Sequence, residues 1–291
     1  GFNGSSFAPL LLGFGCSVPA ILSTRRIETR SDRLVTIAVL PMMSCAGRLP
    51  IYMMFVSALF PSRLQAPVLF GIYASGVLLA LCCARLLKNT LFKAPQRDSL
   101  HHMKRLRLPS LRKVGILMWS RAFMYVRKAG TFILGASIIL WFLNTYPRPE
   151  EDTAPTNAAA MEHSYAGQIG HWMEPVTQVA GFDWKINSAL VGAFAAKEIF
   201  VTQMGILYAV EDGNSGPAAQ QTLNTRLKAS YTPLQGISIM IFCLIALPCI
   251  GTVTVAKREA GTWWFALAQF GGLTLLGFAT ATLIYQAGLL L

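Results

Sequence analysis

Two short runs carry the residues whose types and spacing are best suited to chemistry. Gly13-Phe14-Gly15-Cys16-Ser17-Val18-Pro19 and Pro41-Met42-Met43-Ser44-Cys45-Ala46-Gly47-Arg48-Leu49-Pro50 each set a cysteine beside glycine and proline inside an apolar stretch. Glycine and proline interrupt a membrane helix and free carbonyl oxygens, so a thiol beside such a break adds a soft donor to hard ones. Leu247-Pro248-Cys249 repeats the pattern late in the chain. Irregular backbone at membrane depth must be covered by protein or line a water-filled cavity. Cys16, Cys45, Cys249 and the Ser44 hydroxyl are therefore candidate cation ligands, with Ser17, Met42 and Met43 as candidate pathway contacts. Thiolate sulfur disfavours magnesium and calcium and suits metals of intermediate softness. A site that must release its ion is better served by a few weak donors than by a closed four-cysteine cage.

The other candidates are charges in apolar surroundings. Residues 34–60 hold only Arg48, and residues 186–210 hold only Lys197 and Glu198. A charge at the bilayer centre costs ~2.5–3.5 kcal/mol on insertion scales, so each needs a partner or a polar cavity. Two readings stand side by side: Arg48 satisfies loose carbonyls at a helix break and Lys197 snorkels, or these residues line a pathway or gate. Adjacent residues point about 100° apart on a helix, which makes a Lys197–Glu198 pair awkward. Cys82, Cys83 and Cys243 lie in unbroken apolar runs and are expected to be packing residues. No Cys-x-x-Cys spacing occurs, so neither a zinc module nor an extracellular disulfide framework is supported.

The elements that must position these residues follow from composition. Of 291 residues 54% are apolar and 13% charged, which fits an integral membrane chain rather than one or two soluble domains. Residues 1–24, 66–84, 129–147, 234–256 and 262–291 carry no charge, and a span needs about 20 mostly apolar residues. Together with 34–60 and 186–210 these predict seven membrane-embedded segments, an all-α polytopic fold with broken or re-entrant helices and inverted repeats. Three parts are expected: a first gate-like membrane half at 1–84, a basic loop and juxtamembrane helix at 85–128, and a second gate-like half at 129–291.

Charge sets the expected orientation. From Arg85 to Lys128 there are twelve Lys or Arg against Asp98 alone, a balance of 12 − 1 = +11. A basic loop between membrane segments is explained by the positive-inside rule and anionic lipid, so the net +12 does not imply nucleic acid. His101-His102 in this loop lacks a third ligand nearby and reads as solvated, and residues 114–128 read as a juxtamembrane helix. The loop 147–184 is acidic and is expected outside, with a surface linker at Pro149 to Ala160. A plain count of crossings then leaves Lys257 and Arg258 outside, against the charge rule. Either 186–210 is re-entrant, broken near Lys197-Glu198, or the second half is inverted relative to the first.

At this point a family resemblance enters. Gly15-Cys16-Ser17-Val18-Pro19 resembles the Gly-Cys-Asn-Val-Pro signature of the bacterial ferrous-iron transport protein B family, and Ser44-Cys45-Ala46-Gly47-Arg48-Leu49-Pro50 resembles its Ser-Cys-Gly-Ala-Arg-Leu-Pro element. Gly181-Phe182-Asp183-Trp184-Lys185, Phe194-Ala195-Ala196-Lys197-Glu198 and Leu247-Pro248-Cys249 fall where that family has similar runs. Ser17 stands for the usual Asn, and Ala46-Gly47 inverts the usual order. The resemblance implies Fe(II) as the transported ion, convergence of Cys16, Cys45 and Cys249 on one pathway, an amino-terminal GTPase domain, small accessory Feo proteins, and a bacterial inner membrane. No Gly-x-x-x-x-Gly-Lys-Ser/Thr phosphate loop is present, so no nucleotide is expected to bind these residues. The chain begins at Gly1 inside an apolar block and reads as part of something longer. Expected partners are membrane lipids and the ion, with homo-oligomerisation left open. The alternatives are a nucleoside or organic-solute carrier of related inverted-repeat architecture, which would need polar side chains for a base or ribose, and a non-transporting membrane scaffold. No His-Glu-x-x-His or Gly-x-Ser-x-Gly motif supports an enzyme.

Overall fold

The computed structural model describes residues 4–91, 110–147, 161–209 and 217–290. Among them the structure is helical, without strands. The first apolar segment is a broken pair, α1 (Phe7–Gly13) and α2 (Ser17–Ser23), with Cys16 extended between them at φ −154°, ψ 131°. A second broken segment follows: α3 (Arg30–Val39), an irregular stretch through Cys45, and α4 (Leu49–Leu59). Proline at 41 and 50 explains why that segment cannot run as one helix, because each lacks the amide that would continue the ladder. Next comes α5 (Ser62–Thr90), which runs unbroken over 29 residues.

The later chain repeats this order. α6 (Leu111–Thr145) and α7 (Tyr165–Thr177) lead to α8 (Trp184–Ala195), Ala196 extended at φ −149°, ψ 135°, and α9 (Lys197–Ala209). After α10 (Pro217–Ser230) come α11 (Pro233–Ile245), a break at 246–249, α12 (Ile250–Ala260) and the unbroken α13 (Trp263–Leu290). Thr232 and Gln235 form a reciprocal capping box that starts α11, with Pro233 at its first position. Asp183 accepts from Ile186 N at 2.9 Å and starts α8.

Among the described residues four stretches are long and apolar enough to cross a membrane: Arg30–Leu59, Ser62–Thr90, Pro233–Ala260 and Trp263–Leu290. The two broken ones are 61% and 56% buried, the two straight ones 17% each, which puts the breaks inside the protein and the straight helices at its rim. Phe70, Leu78, Leu275 and Leu283 on α5 and α13 are accordingly exposed. The main core is built on Tyr52, Phe55, Phe182, Phe200 and Met204, and a second cluster joins Ala20, Ile21, Ile37, Leu40 and Ala256.

Contacts at the helix ends settle the crossing problem. Arg25 and Arg33 both reach Glu259, and Lys88 pairs with Asp32 at 2.9 Å, so the ends of α2, α5 and α12 and the start of α3 share one face. Thr36 on α3 bonds Ser6 at 3.0 Å, so the chain enters α1 from the same side. At the opposite face Tyr231 joins the two ends of the α8–α9 pair, accepting from Tyr208 at 2.9 Å and donating to Asp183 at 2.8 Å. Both broken pairs are therefore re-entrant hairpins, α1–α2 from the basic face and α8–α9 from the other. Re-entry and inversion, posed as alternatives by the sequence, occur together, and Lys257 and Arg258 lie on the same face as Arg25.

Residues 114–128 and 129–145 are one helix, α6, so the expected division at 128/129 falls inside an element. A polar break is missing there, and α6 continues through the basic residues without one. The His101-His102 pair and the linker to Ala160 lie outside the described residues.

Candidate functional site

The four helix breaks meet in a ring. Ala46 N donates to Gly15 O at 3.2 Å, joining the α1–α2 break to the α3–α4 break. A Cβ at Gly47 would lie 2.8 Å from Glu198 Oε1 and 3.6 Å from Lys197 Cβ, so the α3–α4 break packs on the start of α9. Lys197 Nζ reaches Ala246 O at 3.5 Å, linking α9 to the α11–α12 break. The ring closes where a Cβ at Gly251 would lie 3.6 Å from Val18 Cγ2. Lys197 also lies within electrostatic reach of Arg48, Cys45, Cys243 and Cys249.

Within the ring the two halves correspond position by position. Cys16 and Ala196 are the extended residues of the hairpins, followed by Ser17 and Lys197 at the first position of α2 and α9. Cys45 (φ −76°, ψ 161°) and Cys249 (φ −60°, ψ 154°) precede the helical turns that resume after each broken span. The straight helices back the ring in the same way. Gly76 and Gly277 are each the fifteenth residue of their helix, the first against Met42 O and Leu244, the second against the backbone of Ala246. A side chain at either would push the helix off the break, which is why glycine stands at both.

Each predicted residue can now be placed. Arg48 is 2% exposed and donates to Pro41 O at 2.7 Å and Met43 O at 3.3 Å, so it caps carbonyls freed by its own break. Its Nε has no hydrogen-bond partner among the described residues. Ser44 is buried and bonds the Tyr52 hydroxyl at 3.1 Å. Cys249 Sγ lies 3.1 Å from Thr252 Oγ1. Met42 and Met43 are buried in the main core, and Ser17 is buried. Lys197 is buried, whereas Glu198 is exposed in the first turn of α9, where a carboxylate complements the helix dipole. Cys16, Cys45 and Cys249 are each partly buried.

Among the described residues no group of three or more His, Cys, Asp or Glu side chains is gathered for a metal. The ring thus offers thiols together with backbone and hydroxyl oxygens rather than a side-chain cage. Cys243 is fully buried in the main core, as expected of a packing residue, and lies within electrostatic reach of Lys197 and Arg48. Sequence reasoning missed Tyr52 and Thr252, which hold Ser44 and Cys249.

The faces away from the ring are tied by charge. Glu259 holds the Arg25 guanidinium above its ordinary value through a two-pronged hydrogen bond and its charge. At the other face burial pushes the Asp183 carboxyl up, opposed by the Ile186 amide and the Tyr231 hydroxyl.

Comparison with known proteins accords with this architecture. The Gate model, described as nucleoside recognition, matches residues 1–59 and 126–263, and the model for the ferrous iron transport protein B C terminus matches residues 69–121. An Fe(2+) transporter FeoB of Campylobacter jejuni is 39% identical over 276 residues, covering 93% of this chain and 44% of the relative. A fusion of Fe(2+) transport protein A with Fe(2+) transporter FeoB from Porphyromonas gingivalis is 36% identical over 326 residues, covering all of this chain and 38% of the relative. The FeoB of Helicobacter pylori is 33% identical over 316 residues, with 99% and 49% covered. The chain spans less than half the length of each of these relatives. No solved structure gives a significant match. With the Gate model covering more than half of it and the FeoB model matching residues 69–121 between, the chain belongs to the Gate family in the form of the C-terminal membrane portion of the ferrous iron transport protein B (FeoB) proteins.

Proposed function

We propose that this chain is the membrane pore of a ferrous-iron uptake transporter in a bacterial inner membrane. The observation that carries the reading is the ring of four helix breaks, enclosed by two inverted halves, with Cys45 and Cys249 at equivalent positions of its two broken spans. Broken helices meeting inside the protein place carbonyl oxygens where a cation can use them, and thiols beside them favour a metal softer than magnesium or calcium. Cys16, Cys45, Cys249 and Ser44 are the ligands we assign to the ion, with Ser17, Met42, Met43, Arg48, Lys197 and Glu198 lining or gating its path.

The names of the relatives support the same reading: they are Fe(2+) transporters, and one is fused to Fe(2+) transport protein A. We place the face of Arg25, Lys88 and Lys257 in the cytoplasm by the positive-inside rule. GTP hydrolysis is assigned to an amino-terminal domain and an accessory Feo protein to the cytoplasmic side, both outside this chain. The test is uptake of ferrous ion into liposomes by the full-length protein and by a variant with Cys16, Cys45 and Cys249 all changed to Ala. Uptake by the first and its loss in the second, at equal reconstitution, is the expected result. Equal uptake by both removes the thiols from the pathway.

A further inference from the structure

Lys197 is the charge in the ring with the weakest provision. The residue is 5% exposed, and among the described residues its ammonium has one hydrogen-bond acceptor, Ala246 O at 3.5 Å, long for a charge-assisted bond. No carboxylate pairs with it among the described residues, since Glu198 turns instead toward Gly47. A buried ammonium without a close counter-charge is unfavourable, so its position calls for a reason beyond packing. Cys45, Cys243, Cys249 and the Arg48 guanidinium lie within electrostatic reach of it.

The two broken spans differ in how their carbonyls are held. In α3–α4 the guanidinium of Arg48 caps Pro41 O at 2.7 Å. In α11–α12 the corresponding cap is the loose Lys197 contact, and the next residue, Leu247, sits at φ 53°, a left-handed conformation unfavourable for a residue with a side chain. Such strain persists only where its surroundings impose it and gathers at sites that change state. One side of the ring is fixed and the other is held by a releasable cation.

We propose that Lys197 is a tethered stand-in for the transported ion: its ammonium occupies the Ala246 carbonyl, in the break that carries Cys249, while the ring is empty, and an incoming divalent cation displaces it. This rests on the ion-uptake reading above. Tethering gives the ammonium a high effective concentration, which a free monovalent cation does not overcome and a divalent one does. Its return helps expel the ion, which keeps binding weak enough for transport.

The test uses Co2+ binding to the purified full-length protein by titration calorimetry, beside ferrous-ion uptake in liposomes. Lys197→Met and Lys197→Gln remove the charge, and the second keeps a donor toward Ala246 so that folding is preserved. Lys197→Arg keeps the charge. Both neutral variants are expected to bind Co2+ roughly tenfold or more tightly than wild type, in the range of a typical coupling between two sites. Their uptake should saturate at lower ion concentration and run more slowly at saturation, while the Arg variant keeps the weak affinity. Unchanged or weaker Co2+ affinity in the Gln variant overturns the tether. Absence of ferrous uptake by the wild type overturns the transport reading instead, and the Co2+ affinities still decide the tether.

Discussion

At the residue scale the cysteines divide by what surrounds them. Cys45 and Cys249 lie in helix breaks at the ring, whereas Cys82 and Cys83 lie within the unbroken α5. Cys45→Ala and Cys249→Ala are each expected to reduce ferrous uptake by at least about tenfold, the scale of losing one ligand-type contact. Cys82→Ala and Cys83→Ala should transport as wild type. Uptake normalised to reconstituted protein decides this, and equal small effects at all four would mean that backbone and hydroxyl oxygens alone hold the ion. Arg48 carries a different prediction, because its guanidinium satisfies two buried carbonyls. Arg48→Leu leaves both uncovered at about 1–3 kcal/mol each. The variant should melt at lower temperature in detergent, and an unchanged transition would mean that water covers those carbonyls.

At the element scale the straight helices act as backing for the breaks. A Cβ at position 277 would meet Ala246 N at 3.1 Å and Ala246 Cα at 3.3 Å, both backbone atoms that cannot rotate away. Gly277→Val should therefore displace α13 from the α11–α12 break and suppress uptake while the protein still inserts. Gly271→Val on the same helix has open space around its Cβ and serves as the control. Comparable uptake by the two would show that the close approach of α13 is not needed for the ring.

At the scale of the whole molecule the inverted halves make a statement about sidedness. The hairpin α1–α2 enters from the face of Arg25 and Lys88, and α8–α9 from the face of Asp183 and Tyr231. Single cysteines at Ser99 and Thr156, in a background without the native six, should be labelled by an impermeant thiol reagent from opposite sides of intact cells. Labelling of position 156 alone from outside is expected. Outside labelling of position 99 alone would reverse the orientation while leaving the inversion intact.

What the sequence determined by itself was local. Prolines at 41, 50 and 248 and glycines beside cysteines mark the breaks, because a missing amide or an absent side chain acts within one helical turn. The uncharged runs mark the embedded segments for the same reason: transfer into lipid is summed residue by residue. The sequence also left two readings open at Arg48 and two topologies at 186–210. Those questions depend on which breaks meet across more than 200 residues, as in the contact of Arg25 with Glu259. Spacing along the chain carries no record of such a meeting. Only the packed structure decided that both hairpins re-enter, that Arg48 caps its own break, and that Lys197 faces the carbonyl of Ala246 rather than its neighbour Glu198. The physical reason is that a buried charge takes whichever partner the folded backbone brings within reach, and that choice is made among elements distant in sequence.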